Sequence, residues 1–147
     1  AVAKIQQALG LIRGTGLESS AIMVEDSGIF LDAFDDWPGA ESSDVEMEIG
    51  LEGVLSMLSD GRQRGAEYRA VAIVSDGFGM WVGTGVCRGR ISDEARGDEG
   101  FGYDPIFVPD DGDGRTFGEW GEGKSSGITH RAKAMNRLAE LLGSPSR

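Results

Sequence analysis

Cysteine is nearly absent from this chain. Cys87 is the only one in 147 residues, so no disulfide can form within the chain and no cysteine cluster can hold a metal. Histidine is as scarce: His130 stands alone, which excludes a multi-histidine site and leaves a hard, oxygen-bound ion such as Mg²⁺ as the metal this composition allows. Lysine occurs only at positions 4, 124 and 133. Lysine and arginine together number 14 against 25 acidic residues, a net charge of -11. That balance argues against a nucleic-acid backbone or an anionic membrane surface as the main partner, while a nucleotide needs only a local cationic pocket. An acidic surface poor in lysine fits a salt-adapted organism or an ordinary acidic cytosolic protein. No apolar run is long enough to span a bilayer or to act as a signal peptide, so cytoplasmic residence is the expectation.

Glycine, by contrast, is abundant at 24 residues. Apolar periodic segments run between the glycines, which therefore read as tight loops rather than disorder. The length predicts a single domain over residues 1–147, large enough to bury a core. Val2, Ile5, Leu9 and Ile12 have helical spacing, ended by Gly14 and Gly16. The run Ala21 to Val24 predicts a buried parallel strand, closed by Glu25-Asp26-Ser27-Gly28. Met47, Leu51, Val54, Leu55 and Leu58 mark an amphipathic helix ended by Asp60-Gly61, with Glu46 and Glu48 suiting its dipole. Residues 67–75 and 80–86 predict a hairpin around Asp76-Gly77, continued by Arg88 to Ile91, with Gly83 and Gly85 flattening one face. Asp110 to Gly114 lacks the acid and glycine spacing of a calcium loop and reads as a solvated loop. A last helix has Ile128, Ala132, Met135, Ala139 and Leu142 as its expected buried stripe and Ser125 or Ser126 as its expected N-cap.

Three segments carry candidate chemistry. Gly100-Phe101-Gly102-Tyr103-Asp104-Pro105-Ile106-Phe107 sets two aromatic rings between glycines, ahead of an acid, a proline and an apolar run. Such rings either offer flat faces to a planar ligand or plug the core. Glu25-Asp26-Ser27-Gly28 places two acids at the end of a predicted strand, where open α/β sheets bind ligands; the same residues also build ordinary turns. Lys124, His130 and Arg131 cluster near the start of the last helix, as an anion and acceptor site or as surface residues.

Taken together these segments resemble the inosine triphosphate pyrophosphatase family, which hydrolyses non-standard purine nucleoside triphosphates. The resemblance rests on Val24 to Gly28, Pro38-Gly39, Gly89-Arg90-Ile91, Arg96-Gly97, Gly100 to Phe107, Thr116 to Glu119, and Lys124 with Thr129-His130-Arg131. In order and spacing it covers the chain from about Ile22 to Leu142. It implies an α/β fold with an elongated mixed sheet, flanking helices and a central cleft between two lobes, in a homodimer. It implies release of pyrophosphate from ITP, dITP or XTP with Mg²⁺. By the same resemblance, Asp26 is the metal-linked acid and proton acceptor, with Glu25 beside it, and Ser27 contacts substrate. Phe101, Gly102, Tyr103 and Asp104 form the base pocket, and Lys124, His130 and Arg131 complete the nucleotide site.

The chain departs from the family pattern in two places. Thr129 stands where serine is usual. The family's opening strand, its Thr/Ser-x-Asn-x-x-Lys loop and the acidic ligand that follows have no counterpart in these residues; Lys4 is a candidate for the lysine on the helix that comes next. The resulting expectations are an active pyrophosphatase or, as alternatives, a catalytically impaired nucleotide-binding or structural remnant, or an incomplete or engineered version of a longer active enzyme. An open strand edge is also expected beside the gap, covered by a second copy of the chain.

Overall fold

The computed structural model describes residues 2–16, 20–121 and 127–143. Helix α1 spans Val2–Ile12, and Ile5 is its buried residue. The first strand, β1, spans Ile22–Leu31. A 3-10 turn and the two-residue strand β2, Trp37–Pro38, lead to helix α2, Ser42–Met57. Strands β3, Gly65–Ser75, and β4, Met80–Ile91, form the predicted hairpin. Its tip is fixed by Asp76 Oδ1, which accepts hydrogen bonds from the Phe78 and Gly79 amides. Strand β5, Phe107–Pro109, the single-turn helix α3, Phe117–Trp120, and helix α4, His130–Gly143, complete the order. No helix among the described residues is long and apolar enough to cross a membrane.

The five strands lie in the order β2-β1-β3-β4-β5, and each neighbouring pair is antiparallel. The α/β class is as expected; among the described residues the sheet is antiparallel throughout, without the parallel pairing expected for residues 21–24 or the mixed sheet that the resemblance implied. Strand β1 pairs with β3 from Ile22↔Ser75 to Leu31↔Ala66. The acids at 25 and 26 therefore lie in mid-strand rather than beyond its end. A short apolar run does not reveal strand direction, and Gly28 reads as a turn only if its surroundings are unknown. Here it is a strand residue under close approach: a Cβ at Gly28 would lie 2.5 Å from the Gly39 carbonyl oxygen.

One face of the sheet carries the core. Ile29, Leu31, Tyr68, Cys87 and Ile91 pack with Val54, Leu55 and Leu58 of α2 and with Ile106, Phe107 and Phe117. Each fully buried aliphatic or aromatic side chain here contributes about 1.5–3 kcal/mol relative to exposure. A smaller cluster joins Ala70 and Ala72 of β3 to Ala134 and Leu138 of α4.

Helix α4 lies directly on β4 because Gly83 and Gly85 have no side chains to hold it off. A Cβ on Gly85 would land on the His130 carbonyl, and one on Gly83 on that of Ala134. The helix buries His130, Ala134 and Leu138, one turn-face removed from the expected stripe, and Met135 and Leu142 are exposed. Glycine on the strand makes small residues the best contact, so size complementarity overrides apolar count. Thr129 caps the helix, accepting the Ala132 amide at 3.0 Å. The expected caps Ser125 and Ser126 lie outside the described residues.

Helix α2 likewise differs from its sequence pattern. Gly50, with φ 66° and ψ 178°, interrupts it. Leu51, Val54 and Leu55 keep the apolar register beyond the break, while Met47 ahead of it is exposed.

Candidate active site

The turn at residues 100–104 is built by its acid. Asp104 Oδ2 accepts the Phe101 amide at 3.1 Å, while Gly100 and Gly102 take the positive φ values, 73° and 62°, that the turn requires. The two aromatic rings then part company. Tyr103 is only 3 % exposed and donates its hydroxyl to the Ser42 carbonyl at 2.8 Å. Burial, and secondarily the charge of Glu46, push its phenol up to about 12. Tyr103 is thus a core plug, whereas Phe101, 60 % exposed, presents its ring to solvent. The Arg131 guanidinium lies 4.4 Å from that ring's centroid, a cation–π contact worth about 0.5–2 kcal/mol.

Arg131 reaches this position from the first turn of α4, and its other contacts tie the helix to β1. Its Nε donates to Glu25 Oε1 at 3.1 Å and to Ser27 Oγ at 3.3 Å. The Ser27 hydroxyl in turn donates to Glu25. His130 is buried and stacks on Tyr68, with ring centroids 4.3 Å apart and planes within 7°. The Tyr68 hydroxyl donates to Asp104 Oδ1 at 3.1 Å. Apart from Glu25, these groups line a cavity of about 160 Å³ between β1, the start of α2, the 100–104 turn and the start of α4.

Of the residues expected to act together, the fold gathers Ser27, Phe101, Gly102, Tyr103, Asp104, His130 and Arg131 at this cavity. Lys124 lies outside the described residues. Glu25 and Asp26 are separated by the strand pleat, since successive side chains point to opposite faces. Glu25 pairs with Arg131 on the α4 side, and Asp26 pairs with Lys4 Nζ of α1 at 3.1 Å on the other. Adjacency in sequence therefore does not make them a joint acid pair. Among the described residues no group of three or more histidine, cysteine, aspartate or glutamate side chains is placed to hold a metal.

Sequence reasoning missed Tyr68 and Glu46, both of which line the cavity. The position of Tyr68 depends on the β1–β3 register, where it opposes Ile29, and register is not readable from either strand alone. Glu46 did leave a signal: Ser42, Ser43 and Glu46 share a helical face and all line the cavity. The Ser-x-x-Glu spacing instead suggests a helix start, which hides that face.

A model of the Ham1 family matches residues 1–141. This chain belongs to the Ham1 family. It is 46 % identical over 120 residues to a dITP/XTP pyrophosphatase of Methanopyrus kandleri, covering 81 % of this chain and 63 % of that protein. It is 38 % identical over 123 residues to the dITP/XTP pyrophosphatase of Saccharolobus solfataricus, covering 84 % and 64 %. The chain thus spans a little under two thirds of the length of the curated relatives it matches. The Ham1 protein of Staphylococcus aureus superposes with a TM-score of 0.76 at 28 % identity, over 85 % of this chain and 68 % of that one. A dITP/XTP pyrophosphatase from Mycobacterium abscessus gives 0.66 at 31 % identity, over 93 % and 74 %.

Proposed function

We propose that this Ham1-family chain hydrolyses non-standard purine nucleoside triphosphates, ITP, dITP and XTP, to the monophosphate and pyrophosphate. The observation that carries the reading is the exposed Phe101 face beside Arg131, at the mouth of a cavity backed by His130 and Asp104. A purine stacked on Phe101 meets donors at Arg131, His130 and the backbone. Hypoxanthine and xanthine present a 6-oxo acceptor to those donors, whereas adenine presents an amino group and leaves them unpaired. That mismatch costs about 1–3 kcal/mol per group. The relatives named dITP/XTP pyrophosphatase support the same substrate class.

Asp26 is the proposed proton acceptor for the attacking water. It is half-exposed and faces away from Arg131, so Glu25 neutralises and positions Arg131 instead of sharing the proton. The donor set fits Mg²⁺ of the kind held by one carboxylate together with substrate phosphates, and not an all-protein cage. Bound there by Asp26, Mg²⁺ would supply charge neutralisation on the phosphates and a more acidic water. Within this reading residues 1–147 belong to one pyrophosphatase domain, which is cytoplasmic and works as a homodimer.

The test is pyrophosphate release from ITP, XTP, dITP, GTP and ATP, with and without Mg²⁺. Metal-dependent turnover of ITP or XTP well above ATP is expected. No turnover of any triphosphate by folded protein would overturn the reading for these residues.

A further inference from the structure

The two halves of the cavity come from distant parts of the chain, and Tyr68 touches both. Tyr68 sits on β3 and is buried. Its ring stacks on His130, 62 positions away in sequence, at 4.3 Å and 7°. Its hydroxyl donates to Asp104 Oδ1, 36 positions away, at 3.1 Å. Asp104 uses its other oxygen on the Phe101 amide, so the hydroxyl of Tyr68 reaches the Phe101 platform through one carboxylate. The ring of Tyr68 reaches Arg131 through the neighbouring residue, His130.

We infer that Tyr68 is a positioning residue for purine recognition: it fixes the Asp104 turn that carries Phe101 and the start of α4 that carries His130 and Arg131, and so sets where a base stacked on Phe101 meets their donors. The inference rests on the proposed function and adds a residue to it. Three features favour this role over simple core filling. Tyr68 lines the cavity rather than lying beneath it. A phenylalanine would fill the same volume, yet the hydroxyl is spent on a buried carboxylate that itself shapes the turn. Burial first, and the Asp104 carboxylate second, hold the phenol well above its ordinary value, so it remains a donor throughout any working pH range. A fixed donor on Asp104 Oδ1 leaves that carboxylate one orientation, and with it the Phe101 amide.

The experiment compares the wild-type chain with Tyr68→Phe and Tyr68→Leu, measuring steady-state kinetics on ITP and ATP, direct binding of IMP, and thermal unfolding. Tyr68→Phe keeps the stack on His130 and loses only the donor. The expected result is a KM for ITP raised about tenfold, weaker IMP binding by a similar factor, and kcat changed less than about twofold. Tyr68→Leu also loses the stack and is expected to erode the preference for ITP over ATP. A Tyr68→Phe chain whose Tm falls while KM and IMP affinity match wild type overturns the inference and makes the residue a structural one. Equal loss in kcat and kcat/KM with KM unchanged overturns it as well. A wild-type chain that neither binds IMP nor turns over any triphosphate overturns the site reading itself, and this inference with it.

Discussion

At the scale of single residues, Arg131 ties the 100–104 turn to β1. It touches Phe101, Glu25 and Ser27, so its planar guanidinium matters as much as its charge. Arg131→Lys keeps the charge and loses the fork and the stacked face. We expect a KM for ITP raised about tenfold with folding intact, read by kinetics alongside a thermal melt. Asp26 behaves differently. Its pair with Lys4 joins two roughly half-exposed side chains, a contact worth about 0–1 kcal/mol. Asp26→Asn should therefore leave Tm within a few degrees while lowering kcat about 100-fold or more, as loss of a general base does. A Tm collapse without a specific loss of kcat would show Asp26 to be structural. The residue types at these positions were legible in the sequence. Which aromatic lies exposed and which is buried was not, because the backbone of the turn decides where Phe101 and Tyr103 point.

Among the elements, helix α4 and strand β4 form the contact that sets the site's geometry. The helix start that bears His130 and Arg131 rests on Gly85, and the obstruction a side chain would meet there is backbone. Backbone cannot rotate aside as a side-chain tip can, so Gly85→Ala must shift the first turn of α4. A cost of about 1–3 kcal/mol is expected, with Tm lower by several degrees and ITP affinity reduced in the protein that remains folded. An unchanged Tm and unchanged kinetics would show that the helix has slack. The sequence showed both glycines and the hairpin that contains them, because period-2 patterning and a turn dipeptide are local signals. It did not show which face of α4 they receive. Counting apolar residues selects the face of Met135 and Leu142; close approach selects that of Ala134 and Leu138. The break at Gly50 in α2 was equally hidden, since glycine at a helical position is read as tolerated until its φ is known.

Across the whole molecule, long-range pairs define what holds the sheet together. Arg88 of β4 reaches over Gly65 of β3 to pair bidentately with Asp32, which follows β1. The hydrogen bond from Arg88 lowers the Asp32 carboxyl below its ordinary value. A carboxylate depressed in the folded state stabilises above its unfolded value, near pH 3.9, and that contribution is lost as pH falls through the depressed folded value. Asp32→Asn should reduce stability at neutral pH by about 1 kcal/mol or less, given the exposure of Arg88, and make the acid limb below about pH 4 less steep. Cys87 offers a second global test. Burial raises its thiol to about 11, so it should resist thiol reagents at pH 7 and react only as the chain unfolds. Rapid labelling of folded protein would contradict its place in the core. Oligomeric state belongs to this scale too. The outer edge of β1 pairs with a strand only at Phe30 and Leu31 among the described residues, and Ser42 Oγ covers Ile29. Under the proposed homodimer, sedimentation velocity should show a dimer; a monodisperse monomer at working concentration would overturn that proposal. The class of fold and seven of the residues that line the cavity could be read from the sequence, since each sits in a short recognisable segment. Strand direction, register and the Tyr68 bridge could not, because they are relations between segments.

The alternation along β1 has a consequence for how this protein can change over generations. Glu25 serves Arg131 on one side of the strand, and Asp26 looks out on the other. Removing a single residue ahead of them would exchange the two assignments at a stroke, giving the shorter acid to the arginine and the longer one to the opposite surface. Losing two residues would restore the sides and merely shorten the strand. Length variants in this part of the chain should thus survive selection in even steps. A library of one-, two- and three-residue deletions within 21–24, sorted for ITP turnover, would retain the two-residue class and lose the other two.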